Sequence, residues 1–211
     1  MNSSARICRI LGIVAVTGLL FSTSRLPAQP AASLGKGRLI VASEGLLDPN
    51  FDRTVVLLLD HGEAGSMGIV LNRPSRARLD RILPGLEGAG EIEEPFFVGG
   101  PVAIREMLML FTTGEEHADQ MHVLGTVYAG WDEELLERML TKPRGEEKFR
   151  LYAGHAGWAP GQLEAEVEAR GWHIFPATEA IIFAGGEEDL WQGFIRRTRM
   201  RIALVRLQGR G

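Results

Sequence analysis

Cysteine is almost missing from this sequence. Its one thiol, Cys8, lies ahead of the N-terminal apolar run, so a chain trimmed of that segment contains none. Disulfides, a thiolate nucleophile and zinc sites built on sulfur are thereby excluded, because each needs cysteine. A membrane-crossing run is missing too: spanning takes about 20 apolar residues, and Ile10 to Phe21 falls short of that. Nucleotide motifs are absent in their turn. No Lys or Ser/Thr follows Gly99-Gly100-Pro101 in phosphate-loop spacing, and Gly85-x-x-Gly88-x-Gly90 does not fit the dinucleotide fingerprint. Ser43, Ser66 and Ser75 lack a nucleophile-elbow context. The densest histidine cluster, His117-x-Asp119-x-x-His122, fits neither one helical face nor one strand face. No metal site and no cofactor is expected.

What is present describes one exported domain. The 211 residues are 45% hydrophobic and 24% charged, enough to bury a single sizeable core. The 26 glycines point to many tight turns and a strand-rich fold. Residues 1–28 have the charged, apolar and small-polar order of a secretory signal, with Arg6 and Arg9 ahead of the apolar run and Ala28 at the cleavage position. This predicts an extracytoplasmic protein; the alternatives are a start codon placed upstream of a cytosolic chain and, secondarily, an uncleaved N-terminal anchor. Residues 29–36 read as a linker, 37–197 as the domain and 198–211 as a basic tail. Residues 29–211 hold 20 basic and 27 acidic side chains, net −7. Six of those arginines fall within Arg196–Gly211, which has no acid, so residues 29–195 stand at −13.

The hydropathy pattern predicts strands over Arg38–Ser43, Thr54–Asp60 and Ser66–Asn72, the last two joined as a hairpin through His61–Gly65. The run Thr54–Asp60 is continuously apolar, as expected of a strand covered on both faces. Glycines and prolines between Pro84 and Pro95 mark a surface excursion. Further strands are predicted at Phe96–Val98, Met107–Thr112, Phe149–Ala153 and Trp172–Phe175. Asp132 caps a helix reaching about Thr141, Pro160–Arg170 is a second helix stopped at Gly171, and Glu187–Arg197 is a third. These elements give an α+β single domain around a mixed sheet that can curl into a barrel.

Several stretches resemble the YqgE/AlgH family. They are Asp48-Pro49-x-Phe51, Thr54-Val55-Val56-Leu57-Leu58 with His61, Gly68 through Pro74, Gly99-Gly100-Pro101-Val102, and Ala156 through Glu164 with Trp172. The likeness covers about Gly37 to Arg197. It implies an α+β domain with a partly open, barrel-like mixed sheet and flanking helices, a transcriptional-regulator label and no established enzymatic activity. Phe111 stands where the family often has His, and His155 where it usually has Tyr. The export signal departs from a mostly cytosolic family.

Four residues are the candidates for binding a ligand or partner. Asn72 and Arg73 end a buried strand at a loop, where the planar guanidinium could grip an anion or Asn could simply satisfy backbone groups. Trp158 and Gln162 either plug the gap between helix and sheet or floor a pocket. Gly99 and Gly100 are candidates for an anion-binding nest of N–H groups. The sequence predicts a non-enzymatic binding or accessory protein that recognises a protein or small ligand. The alternatives are a cytosolic regulator, touching nucleic acid only through Arg196–Arg210, and a hydrolase using His61 or His155. The arginine tail serves equally to fold onto the protein's own acidic surface or onto a second subunit.

Overall fold

The computed structural model describes residues 33–86, 89–91, 96–115, 117–141, 147–184 and 189–208. The expected signal, the linker before Ser33 and Arg210 lie outside them. Among the described residues, nine strands form one sheet: β1 (Arg38–Ala42), β2 (Val55–Gly62), β3 (Gly65–Val70), β4 (Phe97–Val98), β5 (Val102–Thr112), β6 (Met121–Leu124), β7 (Val127–Gly130), β8 (Phe149–Trp158) and β9 (Trp172–Pro176). The described residues also form five α-helices: α1 (Leu79–Ile82), α2 (Glu133–Thr141), α3 (Gln162–Glu168), α4 (Glu179–Ile182) and α5 (Asp189–Gln208). The strand order is β6-β7-β5-β8-β3-β2-β1-β9, antiparallel throughout, with β4 parallel to β8 off that path. The sheet is therefore mixed and open, with β6 and β9 as its edges.

Alternation along β2 shows how the sheet is covered. Val55, Leu57 and Leu59 point into a central core, where they meet Leu39, Ile69, Leu110, Val127 and Tyr152. Val56 and Leu58 point the other way, into a second core with Ile40, Val70, Leu163 and Trp172. A third core lies at the other end of the outer face, where α2 sets Leu135, Leu136 and Met139 against Met109, Phe111 and Tyr128. Both faces of β2 are thus buried, which is why its sequence does not alternate. The sheet curls around the central core: a Cβ on Gly37, just before β1, would stand 3.2 Å from the Val123 carbonyl of β6. Ile182 of α4 and Phe194 and Ile195 of α5 pack into the same core.

Local signals hold where the chemistry is local. The Asp132 carboxylate accepts from Leu135 N at 2.9 Å and so caps α2. The β2–β3 hairpin is tighter than expected, because both strands run on until Gly62 pairs with Gly65. The stop of α3 is executed one residue early. Arg170, at φ 62°, takes the left-handed turn, and Gly171 donates to the Glu166 carbonyl at 2.8 Å. The last helix, expected to end at Arg197, continues to Gln208. Its arginines are therefore helical and not an extended tail.

Candidate functional site

The Asn72–Pro74 segment is a joint. Asn72 is buried at 8% exposure. Its Oδ1 accepts from Val55 N and its Nδ2 donates to the Arg53 carbonyl, both at 2.9 Å. The guanidinium of Arg73 donates to the carbonyls of Asn50 at 2.6 Å and Asp52 at 3.3 Å. Burial lowers the Arg73 pKa, with Asp52 and Asp48 opposing that shift. Its fork is already filled by backbone. The Arg73 carbonyl then accepts from Val98 N at 2.8 Å, Pro74 bridges Phe97, and Ser75 N donates to Phe96 O at 2.7 Å. Arg73 thus ties the 3-10 turn Pro49–Phe51 to β4, and Asn72 ties the end of its own strand to the Arg53–Val55 backbone.

Trp158 and Gln162 meet on one carboxylate. Glu166 accepts from Trp158 Nε1 at 3.1 Å, Trp172 Nε1 at 2.7 Å and Gln162 Nε2 at 2.9 Å. Phe51 stacks on Trp158 with centroids 5.5 Å apart and meets Trp172 edge-on at 5.4 Å. The structure therefore sets Arg73 and Trp158 against the Pro49–Phe51 turn, while Asn72 holds the backbone at Arg53 and Val55 and Gln162 joins Trp158 through Glu166. The glycine pair has a different reason. Gly99 N donates to the Ala153 carbonyl at 2.8 Å, and a Cβ on Gly99 or Gly100 would collide with the backbone at Gly154 or His155. Close approach of two chains demands glycine here, and the Gly99 donor is spent.

His61 has neighbours that hydrolases use. Its Nδ1 lies 2.8 Å from Ser66 Oγ and its Nε2 3.7 Å from Glu164 Oε1. His61 and Ser66 are register partners across the β2–β3 hairpin, so ordinary cross-strand pairing already accounts for that contact. Ser66 also pairs with Trp158 on β8, and its backbone belongs to the ladder. His155 contacts no hydroxyl or carboxylate among the described residues.

A cavity of about 530 Å³ opens elsewhere, where α1, β4, β5 and β8 meet. Its wall is apolar, from Ile82, Phe96, Val98, Ile104, Met107 and Ala153, and its polar groups are Ser75, Arg81 and Arg105. Neither Arg81 nor Arg105 forms an ion pair with a carboxylate among the described residues, since Asp80, beside Arg81, is held by Arg78 at 3.1 Å. Ile104 is 62% exposed and Ile82 43%. The backbone is irregular here: the register of β5 against β8 shifts between Val102 and Met107, and Ala103 sits at φ 48°. A bulge with a left-handed non-glycine residue costs roughly 1–3 kcal/mol and re-aims its neighbours. It carries Ile104 and Arg105 to the rim. The sequence signal for this site is slight: an apolar-basic pair, Ile104-Arg105, between a glycine-rich turn and a strand. The expected strand begins only at Met107, so the bulge falls outside it.

A family model described as DUF179, AlgH-like, matches residues 39–203. A UPF0301 protein of Chlorobaculum tepidum is 36% identical over 164 residues, which cover 77% of this chain and 86% of that one. Another, from Streptomyces avermitilis, is 38% identical over 178 residues, covering 80% and 89%. Among solved structures, the solution structure of the AlgH protein from Pseudomonas aeruginosa superposes with a TM-score of 0.63 at 29% identity, covering 83% of this chain and 91% of that one. A crystal structure of a Corynebacterium diphtheriae protein gives 0.65 at 25% identity, covering 80% and 90%.

Proposed function

The chain belongs to the AlgH-like DUF179 family, and from that premise we propose that it is a non-enzymatic binding protein for a small organic anion with an apolar body. The observation that supports this reading is the cavity of about 530 Å³, whose wall is apolar and whose charged lining, among the described residues, is two arginines and no carboxylate. Ligand sites typically enclose about 300–1,000 Å³ of mostly apolar surface with a few convergent polar groups. Guanidinium matches a carboxylate or phosphate through two parallel hydrogen bonds. Ile82, Val98 and Ile104 would cover the apolar body while Arg81 and Arg105 hold the anionic head. Export is part of the proposal, and rests on the charge and hydropathy order of residues 1–28 alone.

Calorimetric titration with decanoate, against decanol, tests the reading. Decanoate should bind and decanol should not, and Arg81→Ala with Arg105→Ala should weaken decanoate roughly tenfold to a hundredfold. Equal binding of acid and alcohol would refute the role given to the arginines.

A second reading, acyl hydrolysis at Ser66, has one observation in its favour: the His61 ring stands between Ser66 and Glu164. It predicts that a serine-directed organophosphate labels Ser66 and that Ser66→Ala abolishes labelling. An unlabelled protein removes it.

A further inference from the structure

The second half of α5 carries apolar side chains that the body leaves uncovered. In its first half the helix is anchored. Trp191 Nε1 donates to the Ala42 carbonyl at 2.7 Å, Phe194 packs on Phe175 at 4.7 Å, and both Phe194 and Ile195 are buried. Beyond Thr198 this changes. Met200, Leu204 and Leu207 are 64%, 59% and 71% exposed.

With Ala203 these residues occupy positions i, i+3, i+4 and i+7, one stripe of a 3.6-residue helix. Arg199 and Arg201 flank the stripe, one on each side, by the same periodicity. Arg196 and Arg197 stand one turn before it, and no acidic residue follows Asp189. Ile202 and Val205 continue the body-facing stripe past its cover and are exposed as well. Among the described residues, only Arg199 of the named arginines forms an ion pair, with Glu44, and that pair is solvent-exposed; such pairs are weak and exchange readily.

We propose that this half-helix docks on an anionic lipid surface, lying in the interfacial plane. An apolar stripe bordered by arginines is the pattern of interfacial helices: apolar side chains enter the acyl boundary, while the long arginine stems carry their charge out to headgroup phosphates. Charge decides the occupant. A second copy of the helix would set arginines against arginines, whereas anionic headgroups supply the missing sign. Nucleic acid would leave the apolar stripe without a use. The rest of the domain, net −13 over residues 29–195, is repelled by the same surface, so contact is confined to this end. No helix among the described residues is long and apolar enough to cross a membrane.

Co-sedimentation with vesicles tests the proposal. The purified chain is mixed with phosphatidylglycerol or phosphatidylcholine vesicles, beside two variants: Met200→Ser, Leu204→Ser, Leu207→Ser together, and Arg197→Gln, Arg201→Gln together. The unaltered chain should prefer anionic vesicles at least tenfold. The serine variant should lose that binding while keeping its melting temperature, and the glutamine variant should bind about fivefold more weakly per arginine removed. Binding without lipid preference, or binding undiminished in the serine variant, would overturn it. So would a concentration-dependent dimer in light scattering that the serine substitutions dissolve without any vesicle binding.

Discussion

The indole of Trp158 donates to the Glu166 carboxylate at 3.1 Å, and that bond joins the end of β8 to α3. Trp158 is also stacked on Phe51. Replacing it with Ala opens a cavity between sheet and helix and leaves the carboxylate one donor short. The expected cost is about 3–5 kcal/mol, a fall in Tm of roughly 6–20 °C for a domain of this size. Calorimetry measures it, and an unchanged Tm would mean that Trp158 is not a packing residue. Glu166→Gln keeps the volume and should cost less.

Asn72→Ala removes the partner of two backbone groups at once, Val55 N–H and the Arg53 carbonyl. The buried Val55 N–H left unpaired costs about 1–3 kcal/mol, and the exposed Arg53 carbonyl, which water can reach, adds less. Chemical denaturation should show a lower midpoint, and binding in the cavity should weaken only as far as β4 loosens.

Gly154 stands at φ 70°, where a Cβ would come within 2.7 Å of the Val102 carbonyl and 2.8 Å of the Gly100 carbonyl. Gly154→Ala should destabilise by more than about 1 kcal/mol, because both its dihedral and its space favour glycine. Gly125, also left-handed at φ 53° but open on all sides, is the control: Gly125→Ala pays only for its dihedral.

Burial lowers the His173 pKa below its ordinary 6.5, with Glu44 opposing. As pH falls, the unfolded chain takes up the proton before the folded one does. Stability from this group is therefore present above pH 6.5 and declines from there toward the lower folded value. Glu179 acts in a separate window. Hydrogen bonds from Lys148 and Thr126 hold its pKa below 4.5, so its contribution is lost only as pH falls from 4.5 through the folded value. Urea midpoints of His173→Gln against pH should lack the first decline and retain the second.

The sequence made the fold legible where one segment decides its own structure. The doubly buried β2, the Asp132 cap and the β2–β3 hairpin follow from neighbouring residues alone. What escaped were elements made by distant partners. The strands β6 and β7, four residues each, lie around Gly125 and His122 and exist by pairing with each other and with β5. The second half of β8 lies beyond the expected strand Phe149–Ala153; its Gly154, at the Gly99-Gly100 crossing, is a site of close approach that only distant partners create. Asn72, Arg73, Trp158 and Gln162 stood out because they are polar or aromatic residues at element ends, and the structure explains each by what it holds together. Arg81 and Arg105 did not stand out, since α1 and the β5 bulge converge only in three dimensions.

Anion binding in the cavity is best checked by an NMR titration of the labelled protein with decanoate, for the unaltered chain and for Arg81→Ala, Arg105→Ala. Saturable shifts at Ile104, Met107 and Ala153 are expected, lost or greatly weakened in the double variant. Shifts that leave those residues unmoved, or that persist unchanged without both arginines, would contradict it.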